Sequence, residues 1–295
     1  MNKNFEDIPT STNTIIVVCN FNVDMESAYE ITPCVIIPIT PSQTEKLKKR
    51  TQKKHIDLTK YNDGDIIGKS FGSKYCGVSS PKKNFFRNAV SIITKIDGKK
   101  INFKISSSKV YNKVKFQITG CKSMIHAVKA IQNWYNIVKD YNIVKSNFDQ
   151  LILIFTTVMV NINIDLGFNV NREKFDQYIN NNTEYMSLLE TSFGYTGLNI
   201  KVPITPTHLT NIESTKVCLN LNTNQWTINN VSYNNFLDIM EVKDRNKWIQ
   251  KKRYGSFLVF YSGKVIFSSF NHSLMKVDYN KFMKIIQECK SEIEI

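Results

Sequence analysis

Residues 18–24 read VCNFNVD and residues 159–165 read MVNINID. Both stretches alternate apolar and polar side chains, as a strand with one face on a core does. Both carry Asn, Asn and Asp at matching places, residue types that strands ordinarily avoid. The same exception twice in one chain points to an internal duplication. A second match follows in the same order. PITPS at 38–42 and PITPT at 203–207 together take four of the seven prolines, Pro38, Pro41, Pro203 and Pro206. A third, looser pair sets VKFQITGCKS at 114–123 against GKVIFSSFNHS at 263–273, with Lys115 opposite Lys264 and Thr119 opposite Ser268. The order holds while the spacing changes. The chain therefore reads as two diverged copies of one fold unit, 13–147 and 148–295, behind an N-terminal tail of residues 1–12.

Each copy has the same coarse layout. A strand (15–23; 155–164) leads into a helical stretch. In the second copy NREKFDQYIN offers Asn171 as an N-cap, with Phe175, Tyr178 and Ile179 on one face. Strands and turns follow. They are AVSIITKI (89–96), a DGKK turn, INFKISSSKV (101–110) and VKFQIT (114–119) in the first copy. In the second they are TKVCLNL (215–221), GSFLVFY (255–261), an SGK turn and VIFSS (265–269). Each copy closes on an amphipathic helix. The first is capped by Ser123, with Met124, Val128, Ile131, Tyr135 and Val138 at helical spacing. The second is expected to start at Asp278, with Phe282, Ile285, Ile286 and Cys289. Strands first and a long helix last give an α+β fold, with helices on one face of an antiparallel sheet and the other face free. Two basic insertions interrupt the pattern. Residues 43–86 hold EKLKKRTQKK, DGDIIGKSFG and SSPKK; residues 222–254 hold NNVSYNN and KDRNKWIQKKR. They read as solvated loops or as extra phosphate contacts.

Composition narrows the partner. With 39 Lys and Arg against 25 Asp and Glu, the net charge is +14, which favours a polyanion over an acidic or neutral ligand. Only Arg50, Arg87, Arg172, Arg245 and Arg253 are arginine. Phosphate contacts would thus come mostly from Lys point charges. The heavy use of Lys, Asn and Ile fits an A/T-rich genome, and with it a large DNA virus. Cys19, Cys34, Cys76, Cys121, Cys218 and Cys289 show no C-x-x-C or zinc spacing. No metal site is expected, and free thiols fit an intracellular, reducing compartment. Viral factory, host nucleus and virion stay open. MNKNFEDIPTSTN lacks the apolar core of a signal peptide. LILIFTTVMV at 151–160 is too short for a membrane span and reads as a buried strand. His55, His126, His208 and His272 are scattered, and Asp63 and Asp65 in DGD read as a turn. No catalytic set, cofactor or membrane association is expected.

LVFYSGKVIFSS at 258–269 resembles the TATA-box-binding protein family, whose second repeat carries Phe, one residue, Ser-Gly-Lys, two aliphatics and a Thr-Gly. Phe260, Ser262, Gly263, Lys264, Ile266 and Ser268 stand at those positions without a gap. VKFQITGCKS resembles the family's strand into its long helix, through Lys115, Thr119, Gly120 and Lys122. The resemblance implies a saddle of two repeats forming one curved antiparallel sheet, with helices on the convex side and A/T-rich duplex DNA under the concave side. The family's members bend that DNA with apolar wedges. It also implies a general transcription initiation factor, not an enzyme. Its partners would be a transcription factor IIB-like protein and RNA polymerase. The alternative is a saddle-fold interaction module of a transcription complex that has lost specific TATA binding.

Alternation assigns the faces. Thr14, Ile16, Val18, Asn20 and Asn22 share one face of the first strand, opposite the apolar Ile15, Val17, Cys19, Phe21 and Val23. Phe155, Thr157, Met159, Asn161 and Asn163 share the free face of the matching strand. Asn20 and Asn161 are expected either at the DNA or in strand-end turns; Asp24 and Asp165 are expected as caps. By resemblance Phe260 is a wedge, and Lys264, Ile266 and Ser268 share its face. The family's central Asn pair falls on Thr14 and on Phe155 or Thr157. In the first copy Phe103 or Ile105 takes the wedge place, or the whole set Ile101, Phe103 and Ile105 points to the core.

Overall fold

A computed structural model describes residues 4–37, 56–78, 88–108, 113–189, 197–205, 212–240 and 242–295. PITPS, EKLKKRTQKK, SSPKK and the end of PITPT lie outside the described residues. The elements through the first long helix are β1 (Thr10–Cys19), β2 (Asn22–Val23), α1 (Met25–Ile31), β3 (Ile66–Phe71), β4 (Lys74–Gly77), β5 (Ala89–Ile96), β6 (Lys99–Ser108), β7 (Lys113–Cys121) and α2 (Met124–Val138). Then come β8 (Val144–Lys145), β9 (Gln150–Asp165), α3 (Arg172–Asn182), β10 (Met186–Leu189), β11 (Gly197–Ile204), β12 (Glu213–Asn220) and β13 (Gln225–Ser232). The chain ends with α4 (Tyr233–Asp238), α5 (Val242–Gln250), β14 (Arg253–Phe260), β15 (Lys264–Ser269) and α6 (His272–Ile293). Contacts divide it into two units. The N-terminal unit is 16–155 with 215–229; the C-terminal unit is 1–15, 156–214 and 230–295. The division falls inside β1, β9, β12 and β13.

The N-terminal unit contains an antiparallel run β4-β3-β5-β6-β7. Strands β5, β6 and β7 alternate over most of their length. Ile92, Phe103 and Ile118 lie side by side in register and are fully buried. Helix α2 covers this face. Trp134 stands edge-on to Phe103 and Phe116, with ring centroids 6.4 and 6.0 Å apart. Asp97 and Gly98, both at positive φ, make the β5–β6 turn, the conformation that Asp-Gly favours. The Asp63 carboxylate accepts from both turn amides, at 2.9 and 3.0 Å.

One core position carries a charge. Lys69 pairs with Ile92 on the helix-covered face and is buried. Its ammonium donates to the carbonyls of Tyr29 (2.5 Å), Thr32 (2.6 Å) and Glu30 (3.3 Å). These are the orphan acceptors at the C-terminal end of α1, where the helix dipole favours a cation.

The C-terminal unit contains the antiparallel run β10-β11-β14-β15-β9. Its inward residues, among them Ile162, Ile200, Phe257 and Phe267, meet α3 and α6 through Phe175, Ile179, Phe282 and Ile286. Phe257 is sandwiched between Phe267 and Phe282, at centroid distances of 3.9 and 4.1 Å. The Asn171 side chain accepts from Lys174 N, and that of Asp24 from Ser27 N, each at 3.1 Å. Both caps were legible in the sequence.

Three expectations change. Helix α6 starts one turn and more before Asp278, because Asn271 accepts from Leu274 N at 2.8 Å and caps it there. KDRNKWIQKKR lies largely in a helix, α5, instead of a loop. In β1 both faces are closed: Thr14, Ile16 and Val18 are buried as well as Ile15, Val17 and Cys19. The unbroken run IIVVC is the pattern of a strand buried on both sides, which alternation alone misassigns.

Candidate nucleic-acid interface

In the C-terminal unit the face opposite α3 and α6 carries three aligned rows. Asn161, Ser268, Ser256, Lys201 and Met186 form the first. Asn163, Ile266, Leu258, Asn199 and Leu188 form the second. The third holds Asp165 beside Lys264 and Phe260 beside Gly197. All these side chains are exposed or half-buried except at Gly197. A Cβ on Gly197 would stand 2.5 Å from Leu258 Cδ1 and 3.8 Å from the Phe260 ring. The missing side chain is therefore the room that Leu258 and Phe260 occupy. The result is an apolar centre of Leu258, Phe260 and Ile266, bordered by amides and by Lys201.

The amides are not all satisfied. Oδ1 of Asn161 and of Asn199 is shielded from solvent without a hydrogen-bond partner, as is Oδ1 of Asn102 in the other unit. An unmet acceptor of this kind costs about 1–3 kcal/mol. In the N-terminal unit the face opposite α2 is more polar. Its rows are Ser70, Ser91, Lys104 and Gln117, and Gly68, Ile93, Asn102 and Thr119, with Ser106 beside Lys115.

The predicted residues divide as follows. Asn161, Phe260, Ile266 and Ser268 come together on the C-terminal face. Lys264 lies at its edge in an ion pair with Asp165, and Ser262 is exposed in the turn between β14 and β15. Thr157 is half-buried on β9. Lys115 and Thr119 lie on the open face of the N-terminal unit. Three placements are corrections. Phe103 is fully buried against Trp134 and reaches no ligand. Thr14 is closed in with the rest of β1. Asn20 is committed within its unit, its Nδ2 donating to Gln150 O at 3.0 Å and its Oδ1 accepting from Ile152 N at 2.8 Å. Its side chain substitutes for a peptide group and extends the pairing to β9.

Asn199, Lys201 and the N-terminal unit's Gln117 were not singled out beforehand, whereas Leu258 was expected to share the face of Phe260, as it does. GLNIKVPI alternates cleanly, so Asn199 and Lys201 were open to detection from period alone. The large pKa displacements lie away from these faces. Burial pushes the thiols of Cys19, Cys121 and Cys289 and the Tyr185 phenol up to about 12, which leaves them protonated packing groups. The arrangement can present apolar surface, amide groups and ammonium groups to a ligand.

No protein-family model matches the chain. It is similar to uncharacterized protein 335L of Invertebrate iridescent virus 6, at 24% identity over 264 residues, covering 86% of this chain and 77% of that protein.

Proposed function

We propose that the protein binds A/T-rich duplex DNA through its open sheet faces, as a non-enzymatic transcription initiation factor of a large DNA virus. In this reading the two units are diverged copies forming a saddle like that of the TATA-box-binding proteins. The observation that carries it is the aligned C-terminal face, with Leu258, Phe260 and Ile266 at its centre and Asn161, Asn163 and Asn199 around them. The minor groove offers mainly A N3 and T O2 acceptors, so a few amide donors on an apolar sheet suffice to favour A·T. Net charge of +14 supplies the salt-dependent share of affinity. The element order supports the duplication: β9, α3, β10, β11, β14, β15, α6 follows the pattern of β1, α1, β3, β5, β6, β7, α2.

The burial of Phe103 favours a second reading. The expected wedge of the N-terminal unit is thus turned into the core, and the aromatic side chain on its open face is Tyr75, beside Ser70 on the outer strand β4. The fold would then serve as an interaction module within a transcription complex. The deciding measurement is fluorescence anisotropy of A/T-rich and G·C duplexes titrated with protein between roughly 50 and 200 mM salt. Tighter binding to the A/T duplex is expected. Equal affinity for both, or none at low salt, removes the minor-groove reading.

A further inference from the structure

Strands β3 to β7 contain eight lysines and no Asp or Glu. Register sorts these lysines by face. Lys69, Lys74 and Lys99 lie on the helix side. There Lys69 donates to the carbonyls that end α1, and Lys74 pairs with Glu30 at 2.6 Å. Lys95, Lys100, Lys104, Lys113 and Lys115 lie on the opposite, open face, all exposed or half-buried. Lys95 donates to Tyr61 O at 2.7 Å. It also stands directly across the ladder from Lys100, a like-charge pairing that costs an antiparallel sheet stability.

The strands therefore place a concentrated positive charge on this face and nothing to oppose it. The neighbouring side chains suit an anion as well. Lys104 stands between Ser91 and Gln117 in one row, and ammonium, hydroxyl and amide groups all donate to phosphate oxygens. The open face of the C-terminal unit has another character. The charges on its strands are Lys201 and the Lys264–Asp165 ion pair, about the apolar centre of Leu258, Phe260 and Ile266. One face is built for charge, the other for apolar contact.

We infer that the two faces divide the work of DNA binding. The N-terminal unit's face holds phosphates of the duplex through Lys100, Lys104, Lys113 and Lys115, and selection of A·T belongs to the C-terminal unit's face. This rests on the DNA-binding reading above. Phosphate contacts carry no sequence information, so the N-terminal face supplies affinity that depends on salt and is indifferent to base composition.

The test is the slope of log Kobs against log salt on A/T-rich and G·C duplexes, for wild type and for K100Q/K104Q/K113Q/K115Q. A control, K276Q/K281Q/K284Q/K290Q, removes the same charge from α6 lysines that are ion-paired with Glu6, Glu184, Glu288 and Glu294. Each phosphate contact contributes roughly 0.9 to the slope, so the N-terminal-face variant is expected to lose roughly 3–4 on both duplexes. Its preference for A/T over G·C should equal that of wild type. The charge-keeping K100R/K104R/K113R/K115R should retain the wild-type slope. Single Lys→Gln changes at the four sites, each expected to lose about 0.9, give the same reading if the fourfold variant fails to fold. An unchanged slope in the Gln variants, with A/T preference intact, overturns this inference alone. A loss of A/T preference in them overturns the division of work. Equal slope losses in the control overturn it too, as general electrostatics. Wild type that binds no duplex at low salt overturns it together with the DNA-binding reading.

Discussion

Phe257 and Phe260 are the same residue type, three positions apart on one strand, and they face opposite ways. Phe257 is fully buried between two parallel rings, at 3.9 and 4.1 Å. Phe260 is half-buried on the open face, with Gly197 beneath it. Truncation to Ala should separate stability from binding. Phe257→Ala removes a core ring and should cost about 3–5 kcal/mol of stability. Phe260→Ala leaves no closed cavity, and its stability loss should be about 1 kcal/mol or less. Binding reverses the order. A ring that stacks on bases is worth about 1–3 kcal/mol, so Phe260→Ala should weaken A/T-duplex affinity roughly 5- to 150-fold. Phe257→Ala should bind normally once the folded fraction is allowed for. Urea denaturation gives the stabilities and anisotropy the affinities. If Phe260→Ala unfolds as readily as Phe257→Ala, the face assignment is wrong. If it is stable and binds DNA unchanged, the wedge is refuted and the interaction-module reading gains.

Lys69→Met should destabilise by about 2–4 kcal/mol, because three carbonyls at the end of α1 lose a charged donor; a urea midpoint equal to wild type would contradict this. Gly263 sits at φ +74°, and a Cβ there would stand 2.0 Å from Phe168 O. Gly263→Ala should therefore cost about 1–3 kcal/mol in strain, read as a lower thermal midpoint, and no change would refute the assigned turn. The amides of Gly98 and Asp97 hold the Asp63 carboxyl below its ordinary value. A depressed folded pKa contributes stability above the unfolded value of about 3.9, and that contribution is lost as pH falls through the folded value. Asp63→Asn should thus lower the urea midpoint at neutral pH, with the gap to wild type closing in acid; a gap independent of pH counts against the assignment.

Local chemistry made much of the fold legible. AVSIITKI followed by Asp-Gly gives β5 and its turn to the residue, since an alternating run and a turn dipeptide are both short-range signals. Asp24 and Asn171 cap helices as their positions suggest. What failed depended on distant partners. INFKI places its apolar residues at every second position, which fixes that they share a face but not which face; Trp134 decides it. The charges of KDRNKWIQKKR read as loop because Trp248 finds Phe236 and Tyr233 only in three dimensions. In the candidate interface, Phe260, Ile266 and Ser268 were visible because strand period and a gapless motif coincide there. Asn199 and Lys201 were passed over because the repeated motif in their strand begins only at Pro203, beyond both of them.

Asn20 and Asn161 began as equivalent letters in a repeated stretch, and their amides now have different duties. Asn20 uses donor and acceptor at once, on two backbone groups 130 and 132 positions away. Asp lacks the donor, and Leu lacks both groups. Under selection for folding alone, position 20 should accept almost no replacement. Position 161, whose amide oxygen meets nothing in the protein, should then drift freely. Selection for the bound state should reverse that freedom. A mutational scan run under both regimes would show how far the two copies have parted in purpose: one asparagine kept by the scaffold, the other by whatever the scaffold holds.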